Sequence, residues 1–307
     1  MKFHVQQAVR AFILLSFSAL LFKMHYLGEM TKFINPKYEL LSQIASVLFL
    51  ILFFIQSTRI WTLKEQHKGN SSCQHDDHDH HCGHDHGDSH FNSRKLLSYL
   101  IIIFPLATGF LLPAKVLDAS IAEKKGGMAV ITNRAFENRP GTNTSDQEGP
   151  VLTVDPSDPS LLKDRKVYTK EEYNRLIQKL EQSSSIEMSE EVFSSYYEEI
   201  HMDVEKFKGR EIKLTGFVYK EEGLPPNQLV LSRFLITHCV ADASIIGFIS
   251  ELPEASLLEE DTWVEATGIV EIIPYDGLEL PMIKITEWKV VTEPKEPYLY
   301  PINVKVM

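Results

Sequence analysis

Val47-Leu-Phe-Leu-Ile-Leu-Phe-Phe-Ile55 contains no polar side chain and sits inside a longer apolar run, Leu40 to Ile60, that closes on Arg59 and Trp61. A run of about 20 residues crosses the hydrocarbon core of a bilayer as a helix, and a basic and aromatic pair at its end suits the membrane interface. The sequence on either side repeats the pattern. Toward the N-terminus, Ala8 to Leu27 holds Ala11 to Phe22 without a charge, bounded by Arg10 and Lys23. A cleaved signal peptide is the other reading of this first run. It is disfavoured because no small-x-small cleavage site follows and a second apolar run begins soon after. Toward the C-terminus, Leu96 to Val116 opens behind Arg94 and Lys95 and carries Pro105, Gly109 and Pro113. A spanning helix tolerates these where neighbours satisfy the freed carbonyls. The expectation is a three-span membrane domain over residues 1–117.

Lys and Arg bias sets the expected orientation. A cytoplasmic N-terminus places Lys2, Arg10, Arg59, Lys64, Lys68, Arg94 and Lys95 inside, against Lys23, Lys32, Lys37, Lys115, Lys124 and Lys125 outside. That puts the loop between the second and third spans in the cytoplasm and the C-terminal region outside. The charge divides along the same boundary: residues 1–117 carry 11 basic and 8 acidic side chains, and the remainder 20 and 34. So acidic a region repels polyanions, which excludes nucleic acid as a partner.

The loop at 66–90 holds His67, Cys73, His75, His78, His80, His81, Cys82, His84, His86 and His90, interleaved with Asp76, Asp77, Asp79, Asp85 and Asp88. Imidazole and thiolate are ligands for zinc and its neighbours, and a flexible chain can wrap several of them around one ion. No C-x-x-C or H-x-x-x-H pair stands on a recognisable helix. Exchanging sites for zinc, nickel, cobalt or copper therefore fit better than one rigid centre. The other reading is a solvated polar tract.

Past the third run, 118–168 reads as a linker. It contains Arg139-Pro-Gly-Thr-Asn-Thr-Ser-Asp-Gln-Glu-Gly-Pro150, then Pro156 and Pro159, a composition that buries no core. Over 169–208 two helices are expected. The first runs from about Lys170 to Gln182 behind a Thr169/Glu172 capping box, and the second presents Val192, Phe193, Tyr196, Tyr197 and Ile200 on one face. Between 209 and 293 the period changes to two. Ile212, Leu214, Gly216 and Val218 alternate with polar residues, as do Val264, Ala266, Gly268, Val270 and Ile272. Leu229 to His238, Ser244 to Leu252 and Pro281 to Val291 supply three more strands, with room for a short helix between Pro253 and Asp261. That order fits an OB-like five-stranded β-barrel; a small β-sandwich is the alternative. Residues 294–307 are left as a C-terminal tail. The fold class is thus membrane α plus soluble β.

In the barrel, Arg233-Phe-Leu-Ile-Thr-His238-Cys239-Val-Ala-Asp242 brings an imidazole, a thiol and a carboxylate to the end of a strand. His238, Cys239 and Asp242 are candidate metal ligands, or a thiolate with its activating neighbours. Against this stands a buried cysteine beside a core histidine. Consecutive strand residues face opposite ways, so the pair meets one ligand only where the strand has ended or bulged. His201, Asp203 and Tyr219 are weaker candidates. No G-x-G-x-x-G, G-K-[ST], H-E-x-x-H or G-x-S-x-G occurs, and the chain is read as no enzyme.

Several stretches together carry a resemblance: Thr31-Lys-Phe-Ile-Asn-Pro36, the loop Cys73 to His90, Leu111-Leu-Pro-Ala114, Leu117-Asp-Ala-Ser120, Arg233 to Asp242, Ile285-Thr-Glu-Trp288 and Pro297-Tyr-Leu-Tyr300. On these the chain resembles the bacterial YcgQ-like membrane proteins, nearly end to end. Many relatives carry two adjacent cysteines where this chain has His238-Cys239. The resemblance implies a smaller subunit encoded beside a polytopic permease, in neighbourhoods that suggest metal handling. The reading is an accessory membrane subunit that gathers or senses divalent metal ions through its histidine loop. An envelope module binding a solute or polymer on its barrel is the alternative.

Overall fold

The structure, a computed structural model, describes residues 2–62, 93–127, 151–154, 167–275 and 277–305. The chain divides into two units. One comprises Met1–Met30 and Glu39–Ala114, the other Thr31–Tyr38 and Lys115–Met307. The histidine loop, with Cys73, His75, His78, His80, His81, Cys82, His84, His86 and His90, lies outside the described residues.

In the first unit, strand β1 (Lys2–Phe3) leads into helix α1 (Val5–Tyr26), and helix α2 (Glu39–Thr58) leads into β2 (Trp61–Thr62). The two short strands pair antiparallel, setting Phe3 edge-on to Trp61. Helices α1 and α2 lie side by side, and the polar atoms between them satisfy each other. Ser18 Oγ donates to the Ser46 carbonyl at 2.9 Å, Ser46 Oγ donates to the Ser18 carbonyl at 3.1 Å, and Gln56 donates to Gln7. Small hydroxyl residues allow this close approach and remove the cost of burying an unpaired group in an apolar setting. Large apolar side chains such as Phe12, Phe22, Leu48 and Phe54 point outward.

By length and composition, α1 and the run Pro36–Thr58 suit a membrane crossing. Helix α3 (Ser93–Leu111) packs on α1, where Leu20 sits over the bare backbone of Gly109, but its apolar stretch, Leu97–Leu111, is shorter than those two. The run expected as a third span to Val116 stops early for a local reason. Pro113 has no N–H to donate and biases Leu112 away from helical backbone.

The second unit takes up the chain again at Lys115, and it includes described parts of the expected linker. Helix α4 (Ala119–Lys124) is capped by the Asp118 side chain, which accepts from Ile121 N, and buries Ala119 and Ala122 in the core. Strand β3 (Val151–Val154) follows, then β4 (Val167–Thr169), which runs straight into helix α5 (Lys170–Gln182). The capping box forms as its sequence suggests: Glu172 N donates to Thr169 Oγ1 at 3.1 Å and Thr169 N to Glu172 Oε2 at 2.9 Å. Next come β5 (Ser185–Glu187), α6 (Phe193–Met202) and α7 (Val204–Phe207).

The remaining strands are β6 (Glu211–Tyr219), β7 (Gln228–Leu235), β8 (Ser244–Glu251), β9 (Trp263–Tyr275), β10 (Leu278–Val290), β11 (Tyr298–Leu299) and β12 (Ile302–Lys305). A short helical turn, Ala255–Leu257, separates β8 from β9. The large sheet has the order β11-β7-β8-β10-β9-β6-β5, with β6 also paired to β7. The pairings therefore run in a circuit, β6 to β7 to β8 to β10 to β9 and back to β6. All are antiparallel except β8 with β10. The C-terminal segment is built in: β11 adds to β7, and β12 lies between β3 and β4 in a small parallel sheet. Its apolar residues Tyr298, Leu299, Ile302 and Val304 are buried, so leaving this segment as a tail would expose them.

Every residue from Leu229 to Leu235 and from Ile245 to Ser250 is buried, on both faces of β7 and β8. This is why their sequences read as aliphatic runs and do not alternate. Part of the cover is α6, whose Tyr197 and His201 rings lie 5.4 Å from the Phe248 ring.

Candidate functional site

Strand β7 ends at Leu235, and the chain turns through a single 3-10 turn, Val240–Asp242. The strand has therefore ended before His238-Cys239, which frees the pair from strict alternation. Asp242 holds the turn together. Its Oδ2 accepts from His238 N at 2.8 Å, its Oδ1 accepts from Cys239 N at 3.2 Å, and His238 Nδ1 lies 3.0 Å from Oδ2. A carboxylate at Nδ1 favours the tautomer that carries its proton there and leaves Nε2 as the ring acceptor. The imidazole is 57% exposed and the Asp242 side chain 34%. Cys239 is a half-buried free thiol.

A second segment fastens the turn from outside. Thr31–Tyr38, which joins α1 to α2, lies along it as a strap. Val240 N donates to the Phe33 carbonyl at 2.8 Å, Asn35 N donates to the His238 carbonyl at 2.9 Å, and Ile34 bridges Cys239 in antiparallel fashion. The buried Asn35 side chain donates to the Thr237 carbonyl at 2.9 Å. The Tyr38 ring stacks on the His238 imidazole with centroids 5.9 Å apart. Tyr300 donates its hydroxyl to the Thr31 carbonyl, and Lys125 Nζ donates to the carbonyls of Ala241 and Ala243.

The structure thus brings His238, Cys239 and Asp242 into one turn, with Asp242 engaged as acceptor for its neighbours. Among the described residues, no three His, Cys, Asp or Glu side chains converge so as to hold one metal ion. The weaker candidates each have a local role. His201 is buried against Tyr197 and Phe248, its Nδ1 is 2.8 Å from the Tyr197 carbonyl, and burial lowers its pKa to about 4. It packs as a neutral ring. Asp203 caps α7 by accepting from Lys206 N. Tyr219 donates to Glu221 at 2.5 Å, and burial together with that carboxylate raises its pKa.

Arg233 and the strap have roles that their sequence context does not announce. Arg233 is 2% exposed, and its guanidinium donates to the carbonyls of Glu296 and Pro297 at 2.7 and 3.1 Å and lies 5.2 Å from the Trp263 ring centroid. An arginine inside an aliphatic strand run was the available signal, since such a group is buried only where acceptors meet it. Another concavity of the second unit is a groove of about 640 Å³ between α5 and the β5–α6 segment, lined in part by Tyr168, Arg175, Lys179, Glu187 and Tyr196.

A protein with long apolar helices and a β domain whose His-Cys-Asp turn is strapped by an interhelical connection is the class these observations define. The chain belongs to the DUF1980 family: the DUF1980 N-terminal domain matches residues 9–128 and the DUF1980 C-terminal domain residues 164–301. It is 31% identical to the UPF0703 protein YcgQ of Bacillus subtilis (strain 168), covering 95% of this chain and 98% of that one. It is 26% identical, over the same shares, to a Streptococcus mutans serotype c (strain ATCC 700610 / UA159) protein named "Putative two-component membrane permease complex subunit".

Proposed function

We propose that this chain is the accessory membrane subunit of a two-component permease system and works beside a polytopic permease subunit. The observation that carries the reading is the near full-length match to the Streptococcus protein of that name in a chain with two long apolar helices. A groove of about 410 Å³ between α1 and α3, with Ser16, Ala19 and Ala107 among larger apolar residues, offers room for a further helix to pack.

The reading extends to three spans. The strap belongs to the same unit as the β domain, and β1 pairs with β2, which keeps the N-terminus with the far end of α2. With α1 and α2 as spans, strap and domain share one side of the membrane, and the N-terminus shares the other with the start of the histidine loop. The chain then crosses once more before Lys115, and among the described residues α3 is the helix in between. Charge bias makes the domain's side the extracytoplasmic one. The circuit of pairings with one parallel closure, β8 to β10, supports an OB-like barrel for the domain. Both faces of β7 and β8 are covered, which counts against the alternative of an envelope module that binds solute there.

The metal part rests on the composition of 66–90, whose cysteines and histidines suit divalent transition ions. Affinity purification of the tagged chain from membranes should bring down a polytopic partner, and recovery of the chain alone would remove the subunit reading. Calorimetric titration of the full chain with zinc, nickel, cobalt and copper should show binding that disappears when Cys73 to His90 is deleted and persists in Cys239→Ser. Absence of binding sinks the metal part and leaves the subunit reading standing.

A further inference from the structure

The far half of β10 is an open edge. Pairing with β8 covers Met282, Ile283 and Lys284; among the described residues no strand pairs with that edge from Thr286 to Val290, and each of these five residues is exposed. An unpaired strand edge presents a row of N–H and C=O groups that recruits another strand unless it is blocked. Here a bulge between Ile285 and Glu287 precedes the open stretch, and no proline or inward charge interrupts it.

Its two faces differ. On one, Trp288 stands opposite Ala266 and Val290 opposite Val264. Ala266 and Val264 are buried, whereas Trp288 is 36% and Val290 58% exposed, so the apolar surface of the sheet continues past its cover. On the other, charges alternate across three strands: Lys213 on β6 lies 3.6 Å from Glu265 on β9, which lies 2.7 Å from Lys289 on β10. The two lysines hold the Glu265 carboxyl below its ordinary pKa, Lys289 by the larger share. Glu287 shares the Lys289 face, two residues earlier.

We propose that this edge is a self-association surface, pairing antiparallel with the same edge of a second copy about a two-fold axis at Trp288. In that register Glu287 of each copy stands opposite Lys289 of the other. The row Lys213, Glu265, Lys289 gains the second copy's Glu287 as its next alternating member, and the two Trp288 rings meet on the opposite face. Moving the axis by one residue sets Glu287 against Glu287 or Lys289 against Lys289, which cross-strand pairing disfavours. The occupant is therefore selected by charge as well as by shape. A two-fold contact of this kind closes on itself and leaves no further edge to propagate.

The test uses the full chain in detergent or nanodiscs, with mass measured by light scattering. The unmodified chain should be a dimer. Glu287→Lys and Lys289→Glu should each weaken self-association by about tenfold or more, since each turns two attractive cross-strand pairs into repulsive ones. Mixing differently tagged Glu287→Lys and Lys289→Glu chains should restore pairing, because every Glu and Lys again meets its opposite. An unchanged far-ultraviolet circular dichroism spectrum and thermal unfolding transition in each variant check that the domain has folded. A monomeric unmodified chain overturns the proposal, as does a dimer indifferent to both substitutions. Trp288→Cys gives an independent reading: oxidation should join two chains through position 288, and failure to do so in a dimer moves the contact elsewhere.

Discussion

His201 and Arg233 show what burial does to a charged or chargeable side chain. His201 stays neutral in the folded chain because burial lowers its pKa to about 4, against an ordinary 6.5. Above pH 6.5 folded and unfolded chains both carry it uncharged, and it adds no pH dependence. As pH falls toward 4, only the unfolded chain takes up the proton, so stability is lost across that window, by about 3 kcal/mol in total. Urea midpoints measured from pH 7 to pH 4 should show that loss, and His201→Phe should flatten the slope. An unchanged slope in the variant would assign the acid sensitivity to another group. Arg233 behaves differently because it remains charged and is answered by carbonyls of Glu296 and Pro297. Arg233→Met keeps much of the volume but leaves those carbonyls without their donor, and should cost about 2–3 kcal/mol in the same measurement. The Thr169 capping box was legible from sequence because its partners lie three residues apart. The Arg233 contacts were not, since their acceptors lie 63 and 64 residues away.

At the scale of elements, strands were legible where they alternate and equally where they do not. Glu211–Tyr219 and Trp263–Tyr275 show the period of two, whereas β7 and β8 announce themselves as aliphatic runs because both their faces are covered. The segments missed in the second unit were α4, β3, β4, β5 and the C-terminal strands. Each is too short to show a period, and each is fixed by contacts with elements distant in the chain. Close packing at β7 and β8 yields a sharp prediction. A Cβ at Gly247 would fall 2.4 Å from the Leu231 carbonyl oxygen and 2.9 Å from Ser232 Cα, both backbone atoms of the paired strand. Backbone in a paired central strand yields little, so Gly247→Ala should destabilise the chain by about 2 kcal/mol or more. Thermal unfolding of the variant measures this, and an unchanged midpoint would show that β7 and β8 can separate locally at no cost.

For the whole molecule, the long apolar helices were legible in the sequence, but nothing in it marked eight residues between two of them as part of the distant β domain. That strap turns a weak charge count into a stereochemical argument. Lys and Arg bias distinguishes the two orientations by seven residues against six. The hydrogen bonds from Asn35 and Val240 tie the strap to the His238 turn whatever that count, so under the proposed spanning of α1 and α2 both lie on one side of the membrane. In intact spheroplasts an impermeant maleimide should therefore label cysteines introduced at exposed Glu254 and at Lys37 alike, while Cys73 and Cys82 react only after the membrane is opened. Mass spectrometry of the tryptic peptides assigns each site. Labelling of Glu254→Cys together with Cys73 in sealed cells would place the histidine loop beside the domain and require α3 to leave the membrane on the side it entered. Labelling of neither introduced cysteine, with Cys73 and Cys82 reactive, would invert the orientation while keeping the strap and domain together. The first outcome removes the third span; the second removes only the assignment of sides.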